Sequence, residues 1–366
     1  MMKKYLLLCL VLGLFACEKD DVSPTDKIPG QEIYFPPLTG EEWETTTPAE
    51  LGWNEQKLQE LYSFLESNGT RAFIVLKNGR IVTEKYWGEN ITRTAPFDKD
   101  SQWYWASAGK TITAFLVGRA QFDRLLSISD KTSEYLGTGW TSMSAAREEQ
   151  ITIRHQLTMT TGLDYTVNDI HCTDPECLDY MADPGTRWYY HNAPYTLLEQ
   201  VISNASGMSY NAYTDEKLED KTGMSGTWIQ SGYNNVYWSK PRDAARFGLL
   251  VLNNGLWDDM PVLSDTSYIR DMISPSQSLN PSYGYLWWLN GQPSAVFPGS
   301  PDSYNIAVAP DAPSDLYAAM GKNGQIIDVV PEENLIVVRM GEAPDNALVP
   351  ITFHNQMWQY LNEVLP

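Results

Sequence analysis

Ser107-Ala108-Gly109-Lys110-Thr111-Ile112-Thr113-Ala114-Phe115-Leu116-Val117-Gly118-Arg119-Ala120 is the segment from which the fold is read. Ile112, Phe115, Leu116 and Ala120 recur at helical spacing in a mostly apolar run, which predicts a buried helix beginning near residue 107. Three residues along a helix bring Lys110 onto the face of Ser107. A lysine carried into an apolar interior loses proton affinity and becomes able to act as a base. A serine hydroxyl needs such a base before it attacks a carbonyl. A serine that opens a helix also has a backbone N–H without an intrahelical partner, the kind of donor that stabilises an oxyanion. The four-letter spelling is expected about once by chance in a chain of this length. The turn-to-helix junction and the apolar helix around the lysine therefore carry the reading.

Upstream, Asn54 is placed to cap a helix with Leu58, Leu61, Tyr62 and Leu65 on one face. Residues 72–76 and 80–86 read as strands joined by Asn78-Gly79, a strong hairpin signal. Downstream, helical runs at 195–202 and 243–252 give way to strands at 285–289, 317–320, 325–330 and 335–340. The last two flank a turn at 331–334, and a final helix runs over 351–361. Strands at both ends with helices between predict an α+β fold over residues 48–366. It would be an antiparallel sheet flanked by helices, with an inserted helical lobe over about residues 125–250.

The net charge of −20 disfavours nucleic acid and anionic membrane surfaces and leaves a small molecule as the expected partner. At the N-terminus, Lys3-Lys4 precedes an apolar run over 5–15, too short for a mature transmembrane helix. Residues 1–16 read as a signal peptide. Cys17 directly after Ala16 resembles the lipobox of bacterial lipoproteins, which implies cleavage before Cys17 and lipidation of its sulfur. Glu18-Lys19-Asp20-Asp21 resembles the acidic export signal of Bacteroidota lipoproteins, which implies display on the outer membrane. Plain secretion with a different cut site is the alternative. The expectation is an exported protein, lipid-anchored to the cell envelope and touching the membrane through that anchor alone. Residues 17–47, rich in Asp, Glu, Pro and Thr, read as a flexible tether.

Cys172 and Cys177 share a loop with four residues between them. In an oxidising envelope they read as a local disulfide, with free thiols or a metal site as alternatives. His171 beside them raises the metal, but no further Cys or His lies near enough in sequence to complete a tetrahedral set.

Other readings of the key segment fail. Gly109-Lys110-Thr111 ends like a phosphate-binding loop, but Tyr104 stands where that loop needs glycine. The Gly-x-Ser-x-Gly elbow is absent. A Ser-His-Asp triad drawn from the four histidines has no local support. The chain does resemble the serine β-lactamase-like superfamily, which includes penicillin-binding proteins, class C β-lactamases and related esterases. The family carries Ser-x-x-Lys, then Tyr-x-Asn, then Lys/His-x-Gly. Tyr190-His191-Asn192 is preferred for the second motif over Tyr233-Asn234-Asn235 and Tyr360-Leu361-Asn362. It follows Pro184-Gly185-Thr186-Arg187-Trp188 and precedes Tyr195-Thr196-Leu197-Leu198, as in the family. Residues 151–155, running into Thr161-Gly162-Leu163, match a further landmark. For the third motif, Lys77-Asn78-Gly79 precedes the serine and Lys221-Thr222-Gly223 lies within the helical region. Lys322-Asn323-Gly324, just before a strand, is preferred. His191 and Asn323 depart from the family's usual residues and loosen any link to β-lactams.

The resemblance implies a β-lactamase/transpeptidase-like fold and a serine hydrolase that cleaves an ester or amide through an acyl-Ser107 intermediate. Lys110 and Tyr190 would share the base role. Lys110 and Lys322 would lower the Tyr190 pKa. Ser107 and Gln325 would supply the oxyanion N–H groups, Asn192 would orient Lys110 and the substrate, and Gly324 would admit the substrate backbone. No cofactor or metal is called for. A β-lactamase or D-Ala-D-Ala peptidase is the alternative within the family. A non-catalytic surface binding or sensor lipoprotein is the alternative outside it.

Overall fold

The computed structural model describes residues 33–366. The expected signal peptide, Cys17 and the tether as far as residue 32 lie outside the described residues. Asn54 accepts the amide of Lys57 at 3.1 Å and opens α1, Glu55–Ser67, which buries Leu58, Leu61, Tyr62 and Leu65. Strands β1, Thr70–Lys77, and β2, Arg80–Tyr86, follow. Asn78 and Gly79 between them take positive φ of 50° and 78°, as a two-residue hairpin turn requires. Then come α2, Lys110–Phe122, α3, Asn192–Thr196, and α4, Leu198–Ser206. Next are the hairpin β3, Gly226–Ser231, and β4, Asn234–Ser239, and α5, Pro241–Leu252. The chain ends with β5, Trp288–Leu289, β6, Tyr317–Gly321, β7, Gln325–Val330, β8, Leu335–Gly341, and α6, Ile351–Val364.

The main sheet has the order β2-β1-β8-β7-β6-β5 and is antiparallel throughout. Both chain ends build it, as expected. Every residue of β7 is buried, because helices cover both faces. Ile327 and Ile336 face α5, where Gly248 lets the helix approach closely. A Cβ there would lie 2.9 Å from Ile336 Cγ2. Asp328 faces α6, where its carboxylate accepts from Trp358 Nε1 at 2.8 Å and meets His354 Nε2 at 2.8 Å. All three side chains are buried.

Two boundaries differ from the sequence reading. Residues 33–47, assigned to the tether, dock on the body. Tyr34 N donates to Asn78 O at 3.0 Å, Thr45 bridges to Ile81, and Trp43 Nε1 donates to Gly79 O at 2.8 Å. Phe35 packs edge-on to Trp257. A few aromatics anchor a segment whose overall composition reads as disordered. The inserted lobe is also less purely helical than expected. It carries the β3–β4 hairpin, while α5, counted within it, packs on the main sheet.

Asp328→Ala would strand two buried donors. It is expected to lower unfolding stability by about 3 kcal/mol, read as a shift in urea midpoint. A loss below about 1 kcal/mol would show that His354 and Trp358 do not depend on it.

Candidate active site

Ser107 lies in a single 3₁₀ turn, Ala106–Gly109, that runs directly into α2. Trp105 holds the turn from outside: its amide donates to Tyr237 O at 2.8 Å and its indole to Ser239 Oγ at 2.8 Å. Ala106 is forced to φ 48°, a left-handed conformation that costs a non-glycine residue about 1 kcal/mol or more. Ala108 N is the first amide to close the turn, onto Trp105 O at 3.1 Å. The Ser107 N–H, one residue earlier, therefore has no acceptor within the turn.

Lys110 opens α2 with only 4% of its surface exposed, and its Nζ lies 2.9 Å from Ser107 Oγ. The amine sits over two aromatic faces, 4.4 Å from the Tyr195 ring centre and 5.0 Å from that of Tyr190. Burial pulls its pKa from 10.5 down to about 7, with Glu199 pulling weakly the other way. Near neutrality a substantial fraction is free amine, a form able to accept a proton from a hydroxyl within hydrogen-bond reach. Burial pushes the Tyr190 phenol well above its usual value of 10, with the neighbouring Ser107 side chain offsetting part of the rise. This reverses the expected depression. Lys110 is itself held toward neutrality and Lys322 is exposed, so no cation offsets the desolvation.

Asn192 is the first residue of α3. Its Nδ2 lies 3.1 Å from His171 Nδ1, while its Oδ1 is buried without a partner. The expected contact with Lys110 is not made. His191 is buried with neither ring nitrogen partnered, and burial lowers its pKa to about 4. It is neutral at physiological pH.

The third motif occupies the turn between β6 and β7. Lys322 is exposed and its ammonium has no partner among the described residues. Asn323 donates to the Tyr104 hydroxyl at 2.7 Å. Buried Arg339 holds the turn from below, donating to Asn323 O at 2.6 Å and Gly324 O at 3.0 Å. Burial lowers the Arg339 pKa to about 9. Gln325 spends its side chain on the Gly341 backbone and pairs across the hairpin with Gly321. Gly321 itself abuts the Ser107 turn: a Cβ there would lie 2.5 Å from Trp105 O, 2.9 Å from Ala108 N and 3.0 Å from Ser107 N. The rival Lys221 is exposed at the end of a short helix.

Sequence reasoning missed Gly321, Tyr195 and Glu199. Gly321 directly precedes the third motif. Glu199 follows Tyr195 at the helical spacing of four, just after the second motif, which was the available signal. The Glu199 carboxyl accepts from Asn235 Nδ2 at 2.8 Å and leaves Oε1 unpartnered. Burial raises its pKa to about 8. Cys172 and Cys177 are joined as a disulfide, so their sulfurs are not free to bind a metal.

The sequence model of the Beta-lactamase family matches residues 69–348. An uncharacterized protein of Alkalihalophilus pseudofirmus is 26% identical over 318 residues, covering 78% of this chain and 86% of that protein. Penicillin-binding protein 4* of Bacillus subtilis is 28% identical over 300 residues, covering 66% of this chain and 64% of its own. Among solved structures, a protein described as a 6-aminohexanoate-dimer hydrolase of Bacillus anthracis superposes with a TM-score of 0.68 at 16% identity, over 92% of each chain. A family VIII carboxylesterase superposes with a TM-score of 0.62 at 12% identity, over 83% of this chain and 96% of that one. At these identities the superpositions establish the fold.

Two outcomes are expected. For a neutral ester, kcat/KM should rise with pH through a limb centred near 7, where the Lys110 ammonium gives up its proton. A limb near 10 would mean the lysine is solvated during turnover. Gly321→Ala should lower kcat/KM at least about tenfold, since the added carbon meets backbone rather than a side chain that could swing away. Wild-type rates in that variant would detach β6 from the nucleophile.

Proposed function

Because the chain belongs to the Beta-lactamase family and is a serine hydrolase, we propose that it cleaves an ester or amide through an acyl-Ser107 intermediate. One observation carries this reading: the Lys110 amine, stripped of water, lies 2.9 Å from Ser107 Oγ, with the Tyr190 ring centre 5.0 Å from the same amine.

Lys110 as free amine takes the Ser107 proton while Oγ bonds to the substrate carbonyl carbon. The carbonyl oxygen becomes an oxyanion, facing the Ser107 N–H and a backbone N–H of the Gly321–Lys322 segment. Each such donor contributes roughly 3 kcal/mol. Gly321 supports this segment in place of Gln325, because it is Gly321 that lies against Ser107. As the carbonyl re-forms, the bond to the leaving group breaks. The Tyr190 phenol protonates that group and recovers a proton from the Lys110 ammonium, so both end neutral. Water then repeats the sequence on the acyl-serine, releasing the acid and restoring the serine hydroxyl. Asn192 Oδ1 offers an acceptor to the substrate, and Lys322 stands at the exposed rim.

Relatives named as penicillin-binding proteins support a second acyl class, β-lactams or D-Ala-D-Ala peptides. His191 and Asn323 stand against it. Lys3-Lys4, the apolar run 5–15, Cys17 and the acidic residues behind it support export and lipid anchoring in the cell envelope, on the outer membrane.

Ser107→Ala should abolish both nitrophenyl butyrate hydrolysis and labelling by a fluorophosphonate probe. Retained turnover would remove Ser107 from the chemistry, and an unlabelled wild-type protein would favour the non-catalytic binder. Lys322→Ala should lower turnover while Lys221→Ala leaves it intact. The reverse result would move the third motif to Lys221. Nitrocefin turnover would identify the β-lactam alternative.

A further inference from the structure

Residues 164–180 form a loop closed at its neck, where Asp164 N donates to Asp179 O at 2.8 Å and Leu163 bridges to Tyr180. Its tip is tied at three places. Cys172 and Cys177 are disulfide-bonded, with Cα atoms 5.9 Å apart. Ala193 N, at the start of α3, donates to Ile170 O at 3.1 Å. The Tyr233 hydroxyl, at the tip of the β3–β4 hairpin, donates to the Asp174 carboxylate. Between these ties His171 points inward. Its Nδ1 lies 3.1 Å from Asn192 Nδ2 and 2.9 Å from Asn234 Oδ1.

A ring nitrogen carries a lone pair or a proton, so it serves these neighbours one at a time. With the lone pair on Nδ1, His171 accepts from Asn192. The amide nitrogen of Asn192 is then held on the ring, and its Oδ1, buried and otherwise unpartnered, is left as a fixed acceptor two residues from Tyr190. Without the ring, both ends of the Asn192 amide would lack partners and its rotamer would be free.

We propose that the loop is part of the active site and that its disulfide holds His171 against Asn192, making His171 a positioning residue for the Asn192 amide. This rests on the role given above to Asn192. Closing so short a loop restricts the unfolded chain far less than a long-range disulfide does. The value of the bond is therefore local: it fixes the residue next to Cys172. Reducing it lets His171 withdraw and lowers turnover while the fold persists.

The test is a set of variants assayed for kcat/KM on one ester, with thermal melts confirming folding and fluorophosphonate labelling of Ser107 alongside. His171→Ala should lose about tenfold, the scale of one hydrogen bond. His171→Asn, whose Oδ1 takes the place of Nδ1, should stay near wild type. His171→Ala should add no further loss in an Asn192→Ala background. The pair Cys172→Ser with Cys177→Ser should reproduce the loss in otherwise wild-type protein and add nothing to His171→Ala. Full activity in His171→Ala, equal loss in His171→Asn, or additive losses with Asn192→Ala or the serine pair would each overturn the proposal. If His171→Ala fails to fold, the asparagine variant and the serine pair decide alone. Asn192→Ala or Ser107→Ala at wild-type activity would instead sink the underlying catalytic reading.

Discussion

The burial of one amine governs this site. Moving the Lys110 proton affinity from 10.5 to about 7 means that holding the ammonium there costs about 5 kcal/mol relative to water. Helix α2 is apolar nearly all round and cannot turn Lys110 outward without exposing Ile112, Phe115 and Leu116. The aromatic faces of Tyr190 and Tyr195 recover part of the cost when the amine is charged. Glu199 could have trapped a permanent ammonium. Burial holds that carboxyl toward its neutral form, at about 8, so it does not pin Lys110 in the charged state.

The rest of the architecture brings other groups to that amine. The insertion supplies Tyr190 and Tyr195, on one short helical stretch and its approach. The sheet supplies Gly321, pressed against the turn that carries Ser107. Arg339 connects this edge to the core. Its guanidinium reaches Asn323 O, Gly324 O, Asn68 O and Glu342 O, fixing the turn after Gly321 to the start of β1 and the end of β8. The elements are far apart in sequence, so the site exists only once the sheet has closed around both chain ends.

Much of this was legible in the chain. Asn54, the Asn78-Gly79 turn and the strands around residues 331–334 follow local rules and lie where those rules place them. The apolar run after residue 107 gave both the helix and the buried lysine. Other features were not local. Tyr34, Phe35 and Trp43 dock a segment whose composition reads as a tether, because composition averages over a few strong anchors. The Tyr190 pKa moves opposite to expectation, because letters reveal neighbouring charges but not the absence of water. The β3–β4 hairpin escaped because Tyr233 and Asn234 first read as motif candidates rather than as a turn around Gly232. Gly321 escaped because its importance is steric, a matter of what a Cβ would strike.

The direct check on the account is a titration of the protein labelled with 13C at lysine Cε. One resonance should titrate near 7 and vanish in Lys110→Met, well apart from lysines that titrate near 10.4. If every lysine titrates above about 10, Lys110 is hydrated and charged, and it cannot be the base that activates Ser107.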